Sequence, residues 1–274
     1  MNWSCTNTSR LAAVAAALMA TLILPVLAAA QNRQAELVKK IQNPVSDLIS
    51  VPFQSTLDLG IGPADAMRYT MNIQPVVPFS LNKDWAIITR TILPIIAADS
   101  PVAGGGHEFG LGDTLQSFFF APKKPGPSGL IWGVGPVFEW PTATDSALGI
   151  GKWGAGLTAI ALKQQRGWTQ GVLANHVWSY AGQEDRADVS ATFVQPFISH
   201  STRTARIYSV NTEATYDWKA RQWSVPINLG VSQLTMLGKQ PVSVGVSIRY
   251  WLDAPDYGPE GFGLRTTVTY LFPK

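Results

Sequence analysis

Two segments at the end of the chain alternate almost without error, and this limits the possible folds more than any other feature. Residues 242–251 read Val-Ser-Val-Gly-Val-Ser-Ile-Arg-Tyr-Trp, and residues 262–272 read Phe-Gly-Leu-Arg-Thr-Thr-Val-Thr-Tyr-Leu-Phe. Val242, Val244, Val246, Ile248 and Tyr250 share one face, and Ser243, Gly245, Ser247 and Arg249 share the other. A period of two is that of a β-strand, whose successive side chains point to opposite sides of a sheet. About ten such residues, apolar on one side and tipped with aromatics, match a strand crossing an outer membrane.

The N-terminus points to the same compartment. Arg10 precedes an apolar, Ala-rich run from Leu11 to Leu27, followed by Ala28-Ala29-Ala30. A basic residue, an apolar core and a small-residue end predict a signal peptide over residues 1–30, cleaved after Ala30. Pro25 and the small residues before Gln31 argue against an anchoring helix. Cys5, the one cysteine, precedes the run, so the mature chain is expected to hold no disulfide and no thiolate metal site. Charged residues make up 14% of the chain, against roughly a quarter in soluble domains. That deficit, ten Trp, and no later stretch apolar for long enough to span as a helix fit a membrane β-barrel better than a secreted soluble β-protein. The net charge of +3 is small and dispersed and gives no reason to expect a nucleic-acid partner.

After a short helix over 35–41, closed by Pro44, the chain divides into about twelve strand candidates, an even number as bacterial barrels require. They run over 48–59, 68–79, 85–96, 110–120, 130–140, 152–163, 168–180, 189–199, 206–217, 223–234, 242–252 and 261–272. The expected fold is therefore all-β: a transmembrane antiparallel up-and-down barrel over 48–274, preceded by a helix or plug segment over 31–47. With the N-terminus in the periplasm, most long connectors fall outside. The inside turns carry Lys83, Lys123, Lys124, Arg166, Arg203 and Lys239 with Asp84 as their only acid, whereas the outside loops are rich in acids, among them Asp99, Asp145, Asp188 and Asp256. The spans rest on apolar alternation and turn residues, so this charge asymmetry supports them independently. Tyr69, Trp85, Trp140, Trp153, Trp168, Trp178, Trp218, Trp223, Trp251 and Tyr270 lie near strand ends, where two interfacial girdles belong.

The polar strand faces should then line a lumen. They bring Gln54, Asp58, Asn72, Gln74, Ser209, Asn211, Asn228 and Ser232 inward, with Arg90, Glu139, Asn175, Glu213, Arg249 and Arg265 as the residues to set the field a solute meets. Arg90 lies within Ile87-Ile88-Thr89-Arg90-Thr91-Ile92-Leu93; facing lipid near the midplane it would cost roughly 2–4 kcal/mol. It should point inward and pair with an acid such as Glu139 or Glu213. Twelve strands fall between the eight that side chains fill and the sixteen that leave an aqueous channel, so the polar set either selects a solute or rigidifies a closed barrel. Strand prolines such as Pro75 and Pro226 predict bulges or kinks.

Three motifs suggest chemistry. Gly149-Ile150-Gly151-Lys152-Trp153-Gly154 fits G-x-G-x-x-G but lacks the βαβ unit a nucleotide site needs. The acids between Gln183 and Asp188 do not follow a calcium-loop pattern. A lipid-hydrolysing barrel would pair His and Ser two apart on one outward face, and none of the three His is so placed; His176 is followed by Trp178.

Several stretches, in order, carry a resemblance. They are Gln42-Asn43-Pro44-Val45, Asn72-Ile73-Gln74-Pro75, Thr89-Arg90-Thr91-Ile92-Leu93-Pro94, Gly110-Leu111-Gly112-Asp113, Trp132-Gly133-Val134-Gly135-Pro136, Ala174-Asn175-His176-Val177-Trp178-Ser179, Asn211-Thr212-Glu213 and Leu271-Phe272-Pro273-Lys274. Together they resemble the outer-membrane barrel family labelled "MetA pathway of phenol degradation", a group regarded as transporters and sometimes misnamed neuromedin U. The resemblance implies transport of small molecules, aromatic or hydrophobic ones included, without a cofactor. The expected protein is a bacterial outer-membrane channel or passive transporter and not an enzyme. Its expected partners are outer-membrane lipid, a small solute and the barrel assembly machinery. A structural or interaction barrel with a closed lumen is the alternative, and an outer-membrane lipid hydrolase the third reading. Oligomeric state is not legible.

Overall fold

A computed structural model describes residues 34–273; the signal-peptide expectation for residues 1–30 lies outside them. Residues 34–41 form one helix, α1. Fifteen β-segments follow: β1 (Ile49–Ile61), β2 (Ala66–Ile73), β3 (Val76–Ser80), β4 (Trp85–Asp99), β5 (His107–Leu111), β6 (Thr114–Pro122), β7 (Leu130–Trp140), β8 (Lys152–Gln165), β9 (Trp168–Gly182), β10 (Ser190–Ser201), β11 (Arg206–Thr212), β12 (Ala214–Asp217), β13 (Gln222–Leu237), β14 (Gln240–Asp253) and β15 (Gly261–Phe272). Three pairs, β2/β3, β5/β6 and β11/β12, are halves of single strands interrupted at Gln74-Pro75, Gly112-Asp113 and Glu213, so the wall has twelve strands.

Every neighbour pairing is antiparallel, and the sheet closes because β1 pairs with both β15 and β2, while β10 pairs with β9 and with β11/β12. Closure removes the sheet edge and satisfies the backbone inside the wall, as hydrocarbon requires. The last two strands show which way the faces point. Val246 and Ile248 are 45% and 55% exposed, whereas Ser243 and Arg249 are 5% and 7% exposed. The apolar face is outside and the polar face inside, the reverse of a soluble sheet. Leu157, Leu229, Phe262 and Leu264 extend the outward apolar belt.

Tyr69, Trp85, Trp153, Trp168, Trp178, Trp218 and Trp223 are exposed near strand ends, in two girdles. Trp251 departs from the expectation. It lies on the face of Arg249, its indole Nε1 donates to Asp58 Oδ1 at 2.9 Å, and the Arg249 guanidinium stands 4.5 Å over its ring. Two strand residues further on, alternation returns a side chain to the same face, so Trp251 is lumenal.

The interruptions have local causes. The registers Thr212↔Ile227 and Thr215↔Ser224 set Glu213 opposite Pro226 on β13. Proline has no N–H to donate, so the ladder breaks there, and β13 shifts register against β14 between Val225 and Pro226. Pro75 follows the end of β2 in the same way. Pro52, Pro78, Pro94, Pro136 and Pro196 lie within continuous segments.

The end of the barrel with short turns, periplasmic by the usual arrangement, is filled. Leu37 and Val38 of α1, with Leu48, pack against the buried side chains of Ala205, Ile207, Leu234 and Leu271. Val45 packs with Ile88, Phe119, Ala121, Ile160, Leu162 and Leu173. Gly133 makes room for it, since a Cβ there would lie 3.3 Å from Val45 Cγ1 and 3.2 Å from Phe119 Cβ. Two hydrogen bonds fix the segment: Gln164 Nε2 donates to Lys39 O at 2.9 Å, and Ser199 Oγ to Gln42 Oε1 at 2.7 Å.

Candidate functional site: the lumen

Above α1 the inward strand faces enclose two cavities that meet end to end. The upper one holds about 450 Å³ and the lower, next to α1, about 320 Å³. Gln74, Arg90, Leu173 and Gln195 belong to the walls of both and mark the junction. Arg90 on β4, Glu139 on β7, Asn175 on β9, Glu213 in the β11/β12 break, Arg249 on β14 and Arg265 on β15 all line the upper cavity. Asp58 on β1 joins them.

The charges are arranged unevenly. Glu213 accepts from Arg265 Nη1 and Nη2 at 2.8 Å each, a bidentate pair, and Arg265 Nε donates to Thr56 Oγ1 at 3.1 Å. Bidentate Arg–carboxylate pairs are among the stronger charge-assisted contacts. Arg249 bridges the two acids on this side: its Nη2 lies 3.6 Å from Glu213 Oε2 and its Nε 3.5 Å from Asp58 Oδ1. These are ion pairs without hydrogen-bond geometry, and the Arg249 Nε is a buried donor without a hydrogen-bond partner. The two arginines and two acids form one compact network against β1, β14 and β15.

Arg90 differs from the expectation. It points inward but pairs with no acid. Its Nη2 donates to Gln74 Oε1 at 2.8 Å, and Gln74 Nε2 reaches Gln54 Oε1 at 3.4 Å. Glu213 is engaged on the far side by Arg265 and Arg249, and the acceptor that Arg90 reaches is the Gln74 amide. Glu139 faces the cavity from β7, where no protein ion pair or hydrogen bond reaches its carboxylate among the described residues.

The opposite, outer mouth is narrowed by the connector 141–151, which folds inward. Inward-facing Gly110 and Gly112 allow it: a Cβ on Gly110 would strike Thr144 Oγ1, and one on Gly112 would lie 3.2 Å from Leu148 O and 2.7 Å from Ile96 Cδ1. Asp113, in the β5/β6 break, pins the loop by accepting from Ala143 N at 3.0 Å and Ile150 N at 2.6 Å. From the next loop, Arg186 donates to Ser146 O at 2.9 Å, Ile150 O at 3.3 Å and Gly149 O. The glycine-rich stretch at 149–154 thus ends a folded loop and enters β8. In the acidic run, Asp188 lies 3.3 Å from Lys152, which holds its carboxyl below the usual range by a side-chain hydrogen bond and by charge. Among the described residues no cluster of His, Cys, Asp or Glu is placed to hold a metal.

His176 lies on the outer face and meets hydroxyls of the neighbouring strand. Its Nδ1 is 2.6 Å from Thr192 Oγ1 and its Nε2 3.4 Å from Ser190 Oγ. Trp218 Nε1 also donates to Thr192 at 2.8 Å. A search along one strand misses these hydroxyls, since Thr192 stands opposite His176 in the β9–β10 register. Hydroxyls meet both ring nitrogens, and no carboxylate contacts the ring among the described residues. The cluster reads as a polar contact among girdle aromatics.

Sequence reasoning undervalued Asp58 and Trp251, which complete the charged network. The polar position of Asp58 in β1 and the two-residue spacing from Arg249 to Trp251 were the available signals. The inward fold of 141–151 left only a faint one, in Gly110 and Gly112 at inward positions.

No family model and no curated protein matches the chain. Solved structures do. The COG4313 outer membrane channel from Pseudomonas putida F1 is similar with a TM-score of 0.66 at 13% identity, over 84% of this chain and 97% of that one. Outer membrane phospholipase A from Escherichia coli aligns with a TM-score of 0.48 at 12% identity, over 86% of this chain and 97% of that one. The first likeness is one of fold. With the closed twelve-strand wall, the outward apolar belt and the aromatic girdles, it makes this chain an outer-membrane β-barrel of the bacterial type.

Proposed function

We propose that the protein is a passive outer-membrane channel for small solutes, and that the upper cavity lies on the permeation path. The observation that carries this reading is the unfilled lumen: two cavities in series, joined at Gln74 and Arg90, with polar and charged side chains set among apolar ones. A barrel held only for structure would gain by filling that volume with packed apolar side chains, because buried charges are costly even when paired. The fold is shared with a protein described as an outer membrane channel, which supports the reading. The resemblance to the phenol-degradation group adds small aromatic or hydrophobic molecules as cargo. In this reading the lining residues bind and orient solute, and no covalent chemistry is involved. The barrel reaches the membrane through the assembly machinery that serves this class.

A structural barrel with a closed lumen is the second reading. It is favoured by the apolar packing of α1 at one end and by the inward loop 141–151 at the other. Liposome swelling decides between the two. The channel reading expects vesicles containing the protein to swell in isotonic small sugars or amino acids faster than empty vesicles. Equal rates for all solutes would leave the closed barrel.

A further inference from the structure

We propose that the upper cavity is a binding site for a small zwitterion with an apolar body, the chemical class of the hydrophobic amino acids, gripped by Arg90 and Glu139. This rests on the channel reading, since it names the cargo of that path.

Six charged side chains face the cavity, three of each sign: Arg90, Arg249 and Arg265 against Asp58, Glu139 and Glu213. Four of them satisfy one another in the network on β1, β14 and β15. Arg90 and Glu139 are left. Arg90 spends one guanidinium nitrogen on a neutral amide, and Glu139 has no protein partner among the described residues. The cavity therefore presents one guanidinium and one carboxyl group without an ion-pair partner among the described residues.

Register fixes their separation. Arg90 pairs with Ser117 and Glu139 with Leu115, and Ser117 and Leu115 are same-face neighbours on β6. The two Cα atoms are thus two strands and two residues apart, roughly 12 Å from strand spacing and rise. Both side chains line the same cavity from that separation, so one ligand head group carrying both charges lies between them. Beside them, Leu115, Leu173, Val177 and Phe193 give the same cavity an apolar wall.

A lone anion entering this space gains Arg90 but meets Glu139 with the wrong sign, and a lone cation meets the reverse conflict. A neutral solute leaves both charges desolvated and unpaired. A solute carrying a carboxylate and an ammonium satisfies both, and an aliphatic or aromatic body fits the apolar wall. The network on β14 and β15 does not compete, since its charges cancel locally.

Titration calorimetry of the purified protein in detergent micelles tests this with three probes that share an isobutyl body: L-leucine, 4-methylpentanoate and isoamylammonium. Leucine should bind at least about tenfold more tightly than either single-charge probe, the scale of one charge-assisted hydrogen bond. Glu139→Gln should reduce leucine to the affinity of 4-methylpentanoate, and Arg90→Gln to that of isoamylammonium, with heat-modifiable gel migration unchanged. Leucine binding no tighter than the single-charge probes overturns the proposal in the unmodified protein, whatever the variants do. Leucine affinity unchanged from the unmodified protein in both variants overturns it too. Planar-bilayer current separates it from the reading beneath it. Current without leucine preference removes this inference alone, whereas leucine binding without current keeps the site and removes permeation.

Discussion

Replacing Glu213 by Gln should destabilise the barrel more than its size suggests. The carboxylate accepts two hydrogen bonds of 2.8 Å from Arg265 and lies 3.6 Å from Arg249. The three side chains are 18%, 8% and 9% exposed. Gln keeps the shape and one acceptor, but its amide NH₂ faces a second guanidinium donor, and two buried cations lose their shared anion. Each lost charge-assisted bond is worth about 1.5–3 kcal/mol; breaking a buried pair on one side costs about 3–5 kcal/mol. The expected loss is therefore about 3–5 kcal/mol. The double variant Glu213→Leu with Arg265→Met removes both charges and should fall within about 1 kcal/mol of the unmodified protein, because a paired network and an apolar replacement are often near parity. Reversible urea unfolding in phospholipid micelles, followed by Trp fluorescence, measures both. A Glu213→Gln variant within about 1 kcal/mol of the original would refute the reasoning, since it would show the site to be hydrated enough to screen its charges.

Three further outcomes follow from the ends of the lumen and from its outer face. Val38→Asp places a charge in the apolar cluster that holds α1; single-channel recording should show a larger mean conductance, and an unchanged one would separate α1 from gating. Asp113→Ala removes the acceptor for Ala143 N and Ile150 N. Hydrogen exchange of 141–151 should then rise by about tenfold or more, the factor expected for one lost charge-assisted bond of about 1.5 kcal/mol. Unchanged protection would mean that the loop's contacts with Arg186, Leu111 and Gly112 hold it without Asp113. His176→Ala should leave lipid hydrolysis by the preparation at the level of the unmodified protein, and a loss of hydrolysis would turn the outer-face cluster into a catalytic one.

Much of the wall was legible because its physics is periodic. Strand β7 matches the expected 130–140 span, and β15 the expected 261–272, since a lipid-facing row of alternate apolar residues marks both length and face. The lumenal location of Arg90, Glu139, Asn175, Glu213, Arg249 and Arg265 followed from the same alternation. Their partners did not. Whether Arg90 meets Glu213 or Gln74 depends on how the strands across the barrel place those side chains, which local sequence does not encode. The strand-end position of Trp251 points to a girdle, whereas the parity it shares with Arg249 turns it into the lumen. The helix at 34–41 was foreseen within a residue, but not the apolar seat made for it by Ile207, Leu234 and Leu271, whose hydrophobicity runs against the polar lining elsewhere. The three interruptions left weaker signals: Pro75 and Pro226 were visible, whereas Gly112-Asp113 shows its purpose only once the loop above it is seen.

Planar-bilayer recording of the purified protein tests the central claim most directly. A channel predicts discrete current steps whose reversal potential under a salt gradient shifts toward cations in Arg90→Gln and toward anions in Glu139→Gln, because the two side chains without ion-pair partners set the lumenal field. An absence of steps, or steps whose selectivity neither substitution moves, would contradict it.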